Sequence, residues 1–181
     1  MNEEQIRKQA AQLMAVLRSA EEDRGAMADL RCAWSKARRS RAWPWLGRAG
    51  LIGDPVAETV AGAFGYHPAP GGESNFGNAC EELSREHAGA EQRFARLLDA
   101  DRAGACLLVR PLILALRSFG IPLDHRQLYI DLWLWGDETR ARWARAFWVP
   151  EAALPEPAEG AEGAGKDAGG AASEPSSEGG A

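Results

Sequence analysis

The sequence predicts an all-α protein: a single compact helical domain of about eight helices over residues 1–150, followed by a disordered acidic tail over residues 151–181. Three observations support this fold class. Apolar residues recur three and four positions apart along almost every segment, which is the period of a helix buried on one side. Asn or Asp, the residues that cap helices, precede several of these segments. No alternation of apolar and polar residues extends beyond four positions, so no strand is predicted.

The first half of the domain is expected to hold three helices. Asn2 is expected to cap the first of them. A second helix is predicted over residues 24–40, and the Trp-Pro-Trp segment at 43–45 is expected to end it, because the residue before a proline avoids the helical region. Asp54 followed by Pro55 has the pattern of a cap and a first-turn proline, and predicts a third helix that ends near residue 64.

The second half begins with a predicted loop rich in Gly and Pro over residues 65–73, and Ser74 or Asn75 is expected to start a helix that ends near residue 89. A short helix follows over residues 91–100. The segment 103–119 is apolar almost all round, so its helix is expected to lie at the centre of the core. Asp124 and Asp137 are predicted to cap the last two helices.

Charge separates the tail from the domain. The whole chain has a formal net charge of −5, but residues 151–181 hold seven acidic residues, one lysine, and no aromatic or β-branched residue. Such a segment buries too little apolar surface to fold, so it is predicted to be disordered. Residues 1–150 hold 20 basic and 19 acidic residues. The tail is expected to aid solubility and to compete weakly with nucleic acid for a basic surface.

Several function classes are excluded by what the sequence lacks. Its three cysteines are odd in number and far apart, which argues against a disulfide framework and favours a reducing cytoplasm. The longest apolar run is too short for a membrane span, and the N-terminal residues do not resemble a signal peptide. No phosphate-binding glycine loop occurs, and the histidines stand apart from acids and cysteines. The protein is therefore predicted to be cytoplasmic, without cofactor, metal, catalytic residue or small-molecule substrate.

The most informative segment is basic. Residues 24–48 hold seven cations against one anion, Asp29, with three tryptophans interleaved. On one continuous helix Arg24, Arg31 and Arg38 would lie on one side, about 10.5 Å apart along the axis. A row of guanidinium groups suits a polyanion backbone, although a solvated helix face has the same pattern. An exposed Trp43 or Trp45 would suit stacking on a displaced base, or else packing in the core or at a subunit interface.

The predicted central helix has only two charged side chains, Arg110 and Arg117, which are seven positions apart and share one face. Two interpretations remain open. Either these arginines pair with carboxylates such as Asp101 or Asp131, or their face opens onto the same basic surface as the second helix.

Four stretches of the chain, in this order and spacing, resemble a known family. They are DRGAMADLRCAW at 23–34, AGAFGYHP at 61–68, NFGNACEEL at 75–83 leading into QRFARLLDADRAGACLLVRPLILAL at 92–116, and IPLDHRQLYIDLWLWGDETRARWARAFW at 121–148. The family is CasB, the small subunit of the type I-E CRISPR surveillance complex Cascade. The acidic tail matches nothing in this pattern.

The resemblance implies a non-catalytic helical subunit. Its partners would be other Cascade subunits and a second copy of itself, beside the guide RNA–target DNA and the displaced single-stranded DNA. Its basic surface would steady the unwound strands and support R-loop formation during antiviral defence. By position the resemblance points to the nucleic-acid-binding residues Arg24, Arg31, Arg93, Arg96, Arg102 and Arg110, and also to Arg117 and Arg142; the charge pattern adds Arg38, Arg39 and Arg41.

Two other functions remain open. One is a helical protein-interaction scaffold whose basic face binds an acidic partner. The other is a regulator that binds duplex DNA, which would need a recognition helix with exposed polar side chains near its start. No predicted helix has such a face, and the helix after Asp124 is too apolar.

Overall fold

The computed structural model describes residues 2–68 and 75–149. Within these residues the chain forms nine α-helices and two short 3₁₀ turns, so the all-α prediction is confirmed. The predicted tail and most of the predicted Gly/Pro loop lie outside the described residues. The helices are α1 (Glu3–Ser19), α2 (Arg24–Arg31), α3 (Trp43–Arg48), α4 (Pro55–Tyr66), α5 (Phe76–Glu86), α6 (Ala90–Leu98), α7 (Arg102–Phe119), α8 (His125–Trp133) and α9 (Asp137–Trp148); the 3₁₀ turns are Cys32–Trp34 and Arg39–Ala42.

The prediction of a single second helix over residues 24–40 is wrong. Helix α2 ends at Arg31, a 3₁₀ turn follows, and Ser35 adopts an extended backbone that breaks the helical path. The Trp-Pro-Trp segment at 43–45 starts α3 instead of ending a helix, and Trp43 itself has helical torsion angles. Proline fits here because the first turn of a helix leaves its backbone N–H groups unpaired in any case.

Helix α4 lies at the centre of the core. Every residue from Val56 to Gly65 is buried, and α4 contacts α2, α7, α8 and the first 3₁₀ turn. The sequence predicts this central place for α7, which instead buries one side and leaves Leu107, Leu114 and Phe119 exposed at its surface. The apolar composition of α7 predicts that it packs in the core, but it does not say which of its faces is covered.

Most of the predicted caps are confirmed. The side chains of Asn2, Asp54, Asn75 and Asp124 each accept a hydrogen bond from a backbone N–H in the first turn of the following helix. Asp137 is the exception, because Gly136 occupies the cap position and Asp137 lies in the first turn of α9. No helix among the described residues has the length and apolar character needed to cross a membrane.

Two glycines in α4 bring the basic segment close to the core. A Cβ atom at Gly62 would lie 2.2 Å from the Trp34 indole, and one at Gly65 would lie 2.8 Å from the backbone nitrogen of Arg31. Both distances are far below van der Waals contact. Only glycine therefore lets α2 and the first 3₁₀ turn lie directly on α4.

Candidate nucleic-acid interface

A shallow groove of about 340 Å³ lies between the end of α2 and the end of α4. We call it the arginine groove, because three guanidinium groups surround it. Its aromatic lining comes from Trp34 and Tyr66, whose rings stack with centroids 5.0 Å apart and planes 28° apart. The full lining is Ala28, Arg31, Cys32, Trp34, Ser35, Arg38, Arg41 and Tyr66.

Each groove arginine is positioned differently. The Arg31 Nε donates to the carbonyl oxygen of Gly65 at 2.7 Å. Arg41 donates to the Asp29 carboxylate at 2.8 Å. Arg38 is exposed, and no carboxylate of the described residues lies within 4.0 Å of its guanidinium. Successive backbone hydrogen bonds, Arg38 to Ser35 and Arg41 to Arg38, turn the chain so that Arg38 and Arg41 face the same groove.

The central tryptophan of the groove is fixed from several sides. The Trp34 Nε1 donates to the carbonyl oxygen of Thr59 at 2.8 Å, and its ring lies against Gly62. Arg110 reaches from α7 and donates to the carbonyl oxygen of Trp34 at 3.3 Å, with its guanidinium 5.6 Å from the Trp34 ring. Burial lowers the pKa of the Arg110 guanidinium from its ordinary value.

Arg110 therefore lies beside the basic segment, and its hydrogen bonds go to the carbonyl oxygens of Trp34 and Cys106 instead of to Asp101 or Asp131. Arg39 is nearby, with its Nη1 3.7 Å from the buried carboxylate of Glu58. Together with these two neighbours, the groove holds five arginines and two carboxylates. The arginines are Arg31, Arg38, Arg39, Arg41 and Arg110, and the carboxylates are Asp29 and Glu58. This part of the surface carries a net positive charge.

The remaining predicted arginines lie elsewhere. Arg24 is exposed at the start of α2, on the same helix face as Arg31, whereas Arg38 reaches the groove through a turn because α2 has already ended. Arg93 and Arg96 are exposed on α6, and Arg117 is exposed in the last turn of α7. The Arg102 guanidinium lies 5.4 Å from the Trp133 ring.

Arg142 is engaged with the interior. Its Nη2 donates to Asp131 at 2.5 Å, and Asp131 is fully buried. The indole of Trp143 and the amide of Gln127 donate to the same carboxylate. Burial raises the Asp131 pKa, although these donors and the Arg142 charge act in the opposite direction.

Neither Tyr66 nor Trp34 was identified from the sequence as a site residue, although both line the groove. The two small residues Gly62 and Gly65 were the available signal, because they mark a helix face that another element approaches closely. Trp43 and Trp45 do not line the groove, and the Trp45 ring is covered by the Arg48 guanidinium at 4.4 Å. A separate cleft lined by Arg7, Arg126 and Arg142 was not foreseen.

Two of the three cysteines are buried. Burial raises the pKa of the Cys80 and Cys106 thiols, whereas Cys32 is half-buried in the groove. On α5, which also carries Glu82 and Glu86, the Glu81 carboxylate pairs with Arg85. No group of three metal-binding side chains occurs among residues 2–68 and 75–149.

The comparisons with known proteins agree with the resemblance. A family model described as CRISPR-associated protein Cse2 matches residues 13–148, about three quarters of the chain. This match includes the whole arginine groove. No curated protein and no solved structure matches the chain.

Proposed function

The chain belongs to the Cse2 family of CRISPR-associated proteins, and we propose that it is a non-catalytic subunit of a type I-E Cascade complex that holds unwound DNA strands and stabilises the R-loop. The other Cascade subunits and a second copy of the chain are its proposed partners, beside the guide RNA–target DNA. We assign the strand contact to the arginine groove. The observation that carries this assignment is the convergence of Arg31, Arg38 and Arg41 on one aromatic-lined groove.

The chemistry of the groove suits a nucleic-acid backbone. Guanidinium groups bind phosphate oxygens through paired N–H donors, and phosphate contacts position a protein without reading sequence. In an RNA-guided complex, sequence is read by pairing between guide and target, so a subunit that holds strands needs no base code. The other arginines predicted from the sequence are proposed to extend the binding surface beyond the groove. They are Arg24, Arg39, Arg93, Arg96, Arg102, Arg110, Arg117 and Arg142.

Binding to labelled DNA tests this assignment. Fluorescence anisotropy of the full chain would be measured on single-stranded and duplex oligonucleotides over a series of salt concentrations. The variant Arg38→Glu/Arg41→Glu is expected to weaken single-strand binding at least tenfold. The slope of the logarithm of the binding constant against the logarithm of the salt concentration should become shallower by about 0.7 for each phosphate that is no longer bound. The control Lys8→Glu/Arg145→Glu makes the same change in charge at exposed positions outside the groove. Equal binding by the two variants would remove the groove as the site.

Cys32 provides an independent readout of groove occupancy. It lines the groove, whereas the other two cysteines are buried. A bound strand is therefore expected to slow alkylation of Cys32 by a thiol reagent. Binding that leaves the alkylation rate unchanged would place the strand elsewhere on the surface. Copurification with Cascade subunits but without any strand binding would favour the alternative in which the basic face meets an acidic protein partner.

A further inference from the structure

We propose that the arginine groove accepts an unpaired nucleobase, which stacks on the ring of Tyr66 while the surrounding arginines hold the neighbouring phosphates. This inference rests on the proposed strand-holding function and adds the class of ligand: single-stranded nucleic acid, recognised through a base of any identity. It differs from a backbone contact, which treats a strand with bases and a strand without bases alike.

Tyr66 presents a fixed ring to the groove. One side of the ring is stacked on Trp34 at 5.0 Å. Trp34 is itself held by its hydrogen bond to Thr59 and by its contact with Gly62. The Tyr66 ring is therefore backed by a second ring that is anchored to α4. A rigid aromatic surface binds with little loss of side-chain entropy.

Part of the Tyr66 ring is free to accept a ligand. Tyr66 is only partly buried and lines the groove. The Arg31 guanidinium lies 6.0 Å from the Tyr66 centroid, at the outer limit of a cation–π contact. By comparison, the Arg48 guanidinium covers the Trp45 ring at 4.4 Å. Arg31 therefore lies over the Tyr66 ring at a greater distance than Arg48 lies over Trp45, and covers it less closely.

The groove lining combines the two features by which proteins bind single strands. Such proteins place aromatic rings for the bases beside cations for the backbone. Here Tyr66 lies in one lining with Arg31, Arg38 and Arg41. Duplex DNA keeps its bases stacked inside the helix and has none to offer to Tyr66. The groove should accordingly prefer single strands, and every base has an aromatic face, so the preference should not depend on sequence.

Abasic DNA separates this inference from the proposed function. Three labelled probes would be compared by anisotropy with the full chain: a single strand of mixed sequence, an abasic single strand with the same number of phosphates, and the duplex. If a base stacks on Tyr66, the normal strand should bind about 5- to 150-fold more tightly than the abasic strand. Equal binding of the two strands would overturn the inference.

Variants locate the effect. Tyr66→Leu removes the ring and is expected to lower the ratio of normal-strand to abasic-strand affinity to about one. Tyr66→Phe keeps the ring and should bind like the wild type, because stacking needs the ring and not its hydroxyl group. Phe119→Leu removes a half-exposed ring outside the groove and serves as the matched control. A preference for the normal strand that survives in Tyr66→Leu would show that the base stacks elsewhere.

The failures of the two proposals differ. If normal and abasic strands bind equally and Arg38→Glu/Arg41→Glu weakens both, the groove holds phosphates only, and the base-stacking inference is wrong while the strand-holding function stands. If neither strand binds at any salt concentration, the strand-holding function itself fails. Circular dichroism of Tyr66→Leu checks that it is folded, and the wild-type comparison of normal and abasic DNA decides the question even if it is not.

Discussion

Replacing Gly62 by alanine should displace Trp34, one of the two rings that line the arginine groove. The added Cβ atom would lie 2.2 Å from Trp34 Cδ1 and 2.3 Å from its Nε1. Because carbon atoms pack at about 3.5 Å or more, the indole has to retreat by roughly 1 Å. That movement strains the hydrogen bond from Trp34 to Thr59 and opens the stack on Tyr66.

The size of the effect follows from three contributions. Overpacking costs about 1–3 kcal/mol, and a buried polar group that loses its partner costs about 1–3 kcal/mol. Alanine favours the helix over glycine by about 1 kcal/mol, which acts in the opposite direction. The net loss should be about 1–5 kcal/mol in the free energy of unfolding, or a fall in Tm of roughly 2–20 °C.

Gly47 offers a matched control because it also lies inside a helix. There the added Cβ would meet only the tip of the exposed Ile52 side chain, at 3.2 Å. A flexible tip moves aside easily, so Gly47→Ala should be neutral or stabilise the protein by up to about 1 kcal/mol. Urea unfolding followed by circular dichroism measures both variants. Equal stability of Gly62→Ala and wild type, or equal losses in the two variants, would refute the reasoning.

Three further predictions concern buried groups. Burial lowers the pKa of His125 to about 3. Neutral His125 therefore contributes stability above the unfolded pKa of about 6.5, and this stability is lost as the pH falls toward 3. His125→Phe should reduce the loss in unfolding free energy between pH 7 and pH 5 by about 2 kcal/mol in urea titrations, and an unchanged loss would contradict this. In the native protein one thiol, Cys32, should react quickly with a thiol reagent, and Cys32→Ser should abolish the fast phase while the two buried cysteines react only on unfolding. Arg142→Met should lower the unfolding free energy by about 2 kcal/mol at pH 7, less than for a fully buried pair because Arg142 is 41% exposed. The loss should shrink in acid, because Asp131, whose pKa is raised, becomes protonated. An equal loss of unfolding free energy at pH 7 and in acid would argue against the charge pair.

The sequence predicted helix starts well where a single capping residue determines them. Side-chain caps at Asp54 and Asp124 marked helix starts, because the side chain and the backbone N–H it binds are neighbours in sequence. The second helix was predicted too long because what ends it is distant. Trp34 turns toward Thr59 and Gly62, which lie some 25 residues later, and no local pattern records that contact.

The candidate site shows the same division. The cluster of cations at 24–48 was visible in the sequence, and it is the segment that supplies most of the groove. Its geometry was not visible, because Arg38 arrives through a turn and Arg110 arrives from another helix. Tyr66 was missed since its importance comes only from the ring on which it stacks. Composition therefore located the region, and tertiary contacts determined which side chains share it.

The partners of the arginines suggest how the predicted contacts differ in strength. Arg31 and Arg110 are held in place by backbone carbonyl oxygens, which are neutral and leave the positive charge of each guanidinium uncancelled. Arg142 is held by the buried Asp131 carboxylate, which cancels its charge at a distance of 2.5 Å. Arg41 lies between these cases, because its carboxylate partner is partly exposed and screened by solvent. A phosphate approaching the surface should therefore be attracted most strongly where carbonyl groups do the positioning. In this protein Arg31 and Arg110 meet that condition, and both lie beside the stacked rings of Trp34 and Tyr66. The contacts that fix these two rings therefore leave the positive charge beside them available to a phosphate.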